Sequence, residues 1–597
     1  MSEPTRPIRQ PVPDTDGSLV AHTVATPKSF KVRAKVTVGS RRVIPVIFVP
    51  GIMGSNLRVR TDSAAGARPA SSVAQAVNVH GAAAAEQAAG QAAGQPDMAP
   101  GAPVWRPPNG SLDGLRAAWK WERRDPALRQ RLLDPARLEV DGNGDLGDEV
   151  SGLGFAEMRA RGWGEVYLDS YGQVLEKLQT HLDTTFRINQ FGKREVRVHW
   201  KRVMQCEPKK WGLRTVDRIT ETELEKYAGF QYPVYAVGYN WLASCAVSAE
   251  RLSRRIDEIK EYWRSRKHEC HQVILVTHSM GGLVARACAR MRSKSPDDPA
   301  DIAGIIHGVM PTLGAPVAYR RIACGTEGSR YANGFIDNIK ANRFVEIAGT
   351  TPRETTGVMA TAPGVLELLP NHMYPKPWLL VKTVTRVENE DKEHQELGLP
   401  LANPYDMYRD MESWYRLIDP NLVDPAKKFK DVPGGATAAV LQSIASAEHL
   451  HRNILSLGAQ GTADKSSRPY FHPNTYAFYG VDDERLAYGT IQWAARKPIG
   501  LGMVITPAGI RDGVCAGTEA DGGRVVVLEG RQKLKFKVWG QNAAGDDTVP
   551  HQSAAAVANH VRGVFAATGF GHQDCFKDDA MLLLTRHLIV KIVQGIK

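Results

Sequence analysis

The chain has 597 residues, 43% of them hydrophobic and 23% charged, which describes a globular, soluble protein too long for one ordinary core. Its seven cysteines include no CxxC pair and leave an odd total, which argues against a disulfide framework or a zinc site. The net charge of +12 favours anionic partners such as a phospholipid surface, whereas no phosphate-cradling loop or RNA-binding signature points to nucleic acid.

The opening "MSEPTRPIRQPVPDTDG" is polar and proline-rich, without the apolar core of a secretory signal. Residues 1–28 are read as a flexible arm. The chain is expected to be made in the cytoplasm and, if it acts elsewhere, to leave by a route without a cleaved signal. No run of 18 apolar residues exists to span a membrane.

"FKVRAKVTV" alternates apolar and charged residues, as a half-buried strand does, and "VIPVIFVPG" is a continuous apolar run suited to a strand buried on both faces. Residues 63–101 collapse into Ala, Gly and Gln and are read as a low-complexity insertion. Tyr171, Val174, Leu175 and Leu178 follow helical spacing. "PVYAVGYNW" reads as a strand with its exit loop. Leu252, Ile256, Ile259 and Trp263 then form one stripe of an amphipathic helix. The strand "QVILVT", the helix "GGLVARACARM" and the strand "IAGIIHGVMP" complete a strand–helix rhythm that predicts an α/β fold with a parallel sheet covered on both faces. From 319 to 531 this rhythm is lost, and the stretch is too long for a loop; it is expected to be an inserted cap. Residues 29–318 and 532–597 would then be the two parts of the core.

Ser279 follows the apolar strand within Thr277-His278-Ser279-Met280-Gly281. A serine hydroxyl attacks only when an imidazole takes its proton and a carboxylate orients that imidazole. A small-x-Ser-x-Gly turn between strand and helix presents such a serine; here Thr277 stands where the first glycine is usual, while Gly281 and Gly282 keep room on the helix side. The acid and base should follow in the order Asp, then His. "GDDTVP" offers Asp546 or Asp547, and "GFGHQD" offers His572, 26 residues beyond Asp546. The loop "VPGIMGSNL" places Gly51, Ile52 and Met53 after a buried strand, where one backbone N–H can join that of Met280 to hold an oxyanion.

The segments "PVIFVPGIMGSNL", "VGYNWLAS", "VILVTHSMGGLVAR", "GVMPTLGAP" and "GDDTVP" resemble, in order, landmarks of the lecithin:cholesterol acyltransferase-like α/β-hydrolases, a group bordering the glycosylphosphatidylinositol deacylase-like lipases. With "GFGHQDCF" and the missing signal, they also resemble type VI secretion phospholipase effectors. The resemblance covers roughly residues 43–60, 232–320 and 535–590. It implies an α/β-hydrolase with a central, mostly parallel sheet and a large cap between nucleophile and acid. It further implies Ser279 as nucleophile, Asp546 as acid, His572 as base and Ile52 with Met280 as oxyanion donors, leaving Asp547 as a turn residue.

Tyr239 and Trp241 are carried as candidate substrate contacts. The cap aromatics Trp378, Tyr405, Tyr408, Trp414 and Tyr415 would form either a lipid-facing lid or a packed core. The activity implied is that of a serine lipase or phospholipase needing no metal or organic cofactor, although calcium among the cap carboxylates stays open. An acyltransferase, a glycolipid deacylase and a catalytically silent binding module are the alternatives. The expected partners are a phospholipid membrane, an immunity protein and a secretion-spike protein, with export by the type VI route to the periplasm of a target cell.

Overall fold

The structure, a computed structural model, describes residues 40–61, 98–107, 121, 123–150, 153–188, 194–295, 297–326, 349–387, 390–457, 468–497 and 506–596, together with the strands at 12–13, 19–23 and 34–38. The rest of the expected N-terminal arm, and the insertion as far as residue 97, lie outside the described residues.

In chain order the strands used below are β1 Val46–Val49, β2 Gly212–Arg214, β3 Val234–Ala236, β4 Val273–His278, β5 Ile302–Gly308, β6 Leu379–Val387 and β7 Glu390–Leu399. They continue with β8 Thr475–Gly480, β9 Ile491–Arg496, β10 Val514–Thr518, β11 Arg524–Val527, β12 Lys533–Val538 and β13 Gly563–Ala567. The helices are α1 Leu168–Leu182, α2 Cys245–Ser265, α3 Gly281–Arg292 and α4 Asp579–Gln594.

The central sheet has seven strands in the order β2-β13-β8-β5-β4-β1-β3. All neighbours run parallel except β2 against β13. Every residue of β1, β4, β5 and β8 is buried, which is why β1, β4 and β5 read as largely apolar runs rather than alternating ones. Alternate residues feed two cores. Ile47, Val49 and Leu275 pack with the buried stripes of α2 and α3, and Val46, Phe48 and Ile274 pack with α1 and α4.

A second, six-stranded sheet has the order β7-β6-β9-β12-β11-β10. Its core is continuous with the α2–α3 side of the central sheet, through Trp378, Trp414, Trp493 and Phe536. Trp378, Tyr405, Tyr408, Trp414 and Tyr415 are all buried, so these aromatics pack the cap.

The uninterrupted cap expected over 319–531 requires correction. β8, at 475–480, lies between β5 and β13 in the central sheet, so the core is re-entered well before residue 532. Conversely β12, at 533–538, belongs to the second sheet. The physical reason is visible in the residues. "TYAFYG" is buried on both faces, as a central parallel strand must be. "KLKFKV" buries only alternate residues, as a strand with one wet face does.

Candidate active site

Ser279 sits directly after β4 with φ +51°, a left-handed conformation that costs a non-glycine residue about 1–3 kcal/mol and persists only when its surroundings enforce it. Its N–H donates to the Gly308 carbonyl at 2.9 Å, tying the turn to the end of β5. On the helix side, a Cβ at Gly281 would lie 2.4 Å from the Pro50 carbonyl oxygen and 2.5 Å from that of Val49. Only glycine lets the start of α3 approach the β1 exit so closely. Thr277, in place of the usual first glycine, is accommodated because its side chain is buried and its hydroxyl meets His307 Nδ1 at 2.8 Å.

The loop after β13 carries His572. Its Nε2 lies 2.7 Å from Ser279 Oγ, and its Nδ1 lies 2.9 Å from Asp546 Oδ2. The other carboxylate oxygen of Asp546 accepts the N–H groups of Thr548 at 3.2 Å and Val549 at 2.7 Å. The backbone N–H of His572 also donates to the Asp546 carbonyl at 2.7 Å, so the two residues are tied twice. Asp546 is presented beside the end of β8: a Cβ at Gly480 would come within 2.7 Å of its own Cβ. Ser279, His572 and Asp546 thus gather at the carboxyl edge of the sheet, where such folds place their ligands.

Asp547 turns the other way. Its backbone is left-handed at φ +74°, and its carboxylate meets Arg485 Nη1 at 3.2 Å, while burial raises its pKa above the ordinary value.

The loop Gly51–Gly54 faces the elbow. The N–H of Gly51 is taken by Tyr171 Oη and that of Gly54 by the Gly51 carbonyl, so neither of these bonds uses the N–H of Ile52. Ile52 and Met280, the two residues expected to offer an oxyanion their N–H groups, thus lie on the loop after β1 and directly after Ser279.

The candidate substrate contacts Tyr239 and Trp241 stand beside the Gly51–Gly54 loop. Both are buried, and Tyr239 Oη donates to the Pro50 carbonyl at 3.0 Å. Trp241 packs edge-on against Trp105 at 5.2 Å, and Trp105 Nε1 donates to the Met53 carbonyl at 2.8 Å. These aromatics brace the loop after β1.

Sequence reasoning missed two participants in this neighbourhood, Tyr171 and His278. Tyr171 lies on a buried helical stripe, where its hydroxyl needs a partner, and His278 interrupts an apolar strand next to the serine. Among the described residues no group of three or more His, Cys, Asp or Glu could hold a metal ion, and no helix is long and apolar enough to cross a membrane.

Residues 228–361 match the family model described as PGAP1-like alpha/beta domain. A chain from the crystal structure of the Tle4–Tli4 complex is similar at 25% identity, with a TM-score of 0.68 over 93% of this chain and 99% of that one. Phospholipase PlaB from Legionella pneumophila in complex with thio-NAD overlaps 42% of this chain and 62% of its own at 10% identity, and its TM-score of 0.14 carries no weight. No curated protein matches. Residues 228–361 carry a PGAP1-like α/β domain, within a fold that is similar over 93% of the chain to one in the Tle4–Tli4 complex.

Proposed function

We propose that the chain is a serine-dependent lipase of the phospholipase type, acting on acyl esters of membrane phospholipids. The observation that carries this reading is the imidazole of His572 held between Ser279 Oγ at 2.7 Å and Asp546 at 2.9 Å. His572 takes the serine proton as Oγ attacks the ester carbonyl, and Asp546 stabilises the imidazolium that forms. The N–H groups of Ile52 and Met280 hold the tetrahedral oxyanion. The leaving alcohol collects the proton from His572, and a water activated by the same imidazole then releases the fatty acid from Ser279.

The net charge of +12 supports an anionic bilayer as the surface on which this occurs, through an attraction that salt weakens. The likeness to a chain crystallised as a Tle4–Tli4 complex, together with the resemblance to type VI effectors, supports an antibacterial effector. Under this reading the chain is exported on a secretion spike to the periplasm of a target cell and is restrained by a dedicated immunity protein. Mixed phospholipid and glycolipid vesicles treated with wild type and Ser279→Ala test the activity by lipid mass spectrometry. Lysophospholipid plus free fatty acid from wild type alone is the expected result. Cleavage confined to the glycolipid would identify a deacylase, acyl transfer to added alcohol would identify a transferase, and identical lipid profiles would remove the reading.

A further inference from the structure

A chain of hydrogen bonds outside the Ser279–His572–Asp546 set runs beneath the site. The N–H of Gly51 donates to Tyr171 Oη at 3.1 Å. Tyr171 Oη and His278 Nδ1 lie 2.9 Å apart. His278 Nε2 lies 2.8 Å from the backbone carbonyl oxygen of His572.

Chemistry fixes the direction of each bond. A carbonyl oxygen only accepts, so His278 Nε2 carries a proton. Burial, and then the neighbouring His572, push the pKa of His278 down to about 3, so its imidazole is neutral and Nδ1 offers a lone pair. Tyr171 must therefore donate its O–H to Nδ1 while a lone pair of the same oxygen accepts from Gly51. Gln573 is a further neighbour of that phenol oxygen. Burial raises the Tyr171 pKa far above its usual value, which keeps the hydroxyl protonated.

The surroundings are apolar. Phe48 packs on Tyr171 at 5.1 Å between ring centroids, and Phe576 packs on Phe48 at 5.4 Å and on His278 at 6.2 Å. Polar bonds in such a setting are strong when complete and costly when broken.

Resting on the serine-hydrolase reading above, we infer that Tyr171 and His278 are positioning residues that register the oxyanion loop and the base loop against the nucleophile. One end of the relay holds Gly51, the residue before the proposed donor Ile52. The other end holds the backbone of His572 itself. The middle member is the residue before Ser279 on the same strand. A single rigid relay thus sets the distance from the serine to its base and to its oxyanion donor. A buried histidine that merely satisfied its own polar atoms would need no such span.

The test uses the full chain and 4-nitrophenyl butyrate, with Tyr171→Phe, His278→Leu, His278→Gln and the double variant Tyr171→Phe/His278→Leu. A misplacement of about 1 Å in a reacting group costs on the order of a hundredfold. Tyr171→Phe, which removes one oxygen atom, is expected to lower kcat roughly 10- to 100-fold with KM within about twofold. His278→Gln keeps a donor for the His572 carbonyl and an acceptor for Tyr171, so it should recover most of what His278→Leu loses. The double variant should be no slower than the slower single, because both act through one relay. In proton NMR the low-field resonance of the His572–Asp546 bond should move in Tyr171→Phe.

Wild-type kcat in a Tyr171→Phe protein with a lowered Tm would reduce the relay to a structural role and overturn the inference. Independent, multiplying losses in the double variant would do the same. Should His278→Leu fail to fold, Tyr171→Phe decides alone. A wild-type protein that turns over no ester and leaves Ser279 unlabelled by a fluorophosphonate sinks the serine-hydrolase reading, and the inference falls with it. An active wild type with unaffected variants sinks only the inference.

Discussion

Asp546 and Asp547 are adjacent in sequence and opposed in space: Asp546 meets His572 Nδ1 at 2.9 Å, and Asp547 meets Arg485 Nη1 at 3.2 Å. Only one of them can orient the imidazole. Asp546→Asn should therefore lower kcat by roughly a thousandfold or more, since an amide there favours the wrong tautomer of the base. Asp547→Asn should stay within a few-fold of wild type. Ester turnover by both purified variants checks this, and comparable losses would reverse the assignment.

Tyr239 supports the loop of the proposed donor Ile52 through its 3.0 Å bond to the Pro50 carbonyl. Tyr239→Phe should cost about 1 kcal/mol of stability, the net worth of one buried hydrogen bond. It should lower kcat while leaving KM close to wild type. A raised KM with unchanged kcat would mean that the ring contacts substrate after all.

Gly281 leaves no room for a methyl group, because its Cβ would meet backbone oxygens of β1's exit at 2.4 Å and 2.5 Å. Backbone cannot swing aside as a side chain can. Gly281→Ala should displace the Pro50–Ile52 loop and lower turnover by about a hundredfold, or lower Tm sharply. Gly517→Ala, where a Cβ would meet nothing within 4 Å, serves as the control and should behave as wild type. An active, stable Gly281→Ala protein would show that this close approach does not matter.

Glu367 fastens the cap to the start of α2. Its carboxylate accepts from Ser244 Oγ at 2.6 Å and from the Cys245 N–H at 2.7 Å. Complete burial nevertheless raises its pKa from the ordinary 4.5 to about 7. Between those values the folded protein binds more protons at this group than the unfolded chain does, so its contribution to stability falls as pH rises from about 4.5 through about 7. Glu367→Gln keeps one acceptor and one donor without the charge. It should flatten the decline of Tm across that window and raise Tm above pH 7 relative to wild type. Parallel Tm–pH curves for the two proteins would contradict this.

Much of this arrangement was legible in the residues. β1, β4 and β5 show as continuous apolar runs because both of their faces are buried, and the elbow shows because Gly281 and Gly282 have no alternative there. The order of serine, aspartate and histidine indicated which groups to seek. β8 was hidden because "TYAFYG" lies among cap segments equally rich in Tyr and Phe, and only its neighbours β5 and β13 reveal its place. Tyr239 and Trp241 suggested a pocket because aromatic residues at a strand exit suit one; the bond from Tyr239 to the Pro50 carbonyl and the packing of Trp241 on Trp105 are tertiary contacts that local spacing does not record. The Tyr171–His278 relay spans 107 residues of sequence, and nothing in local spacing records such a pairing.

Covalent labelling is the direct test of Ser279 as an activated nucleophile. The purified protein is incubated with a fluorophosphonate, digested, and the site of modification located by mass spectrometry. One adduct is expected, on the peptide containing Ser279, formed rapidly in wild type, far more slowly in His572→Ala, and not at all in Ser279→Ala. An unmodified Ser279 in folded wild-type protein, or equal labelling in His572→Ala, would contradict it.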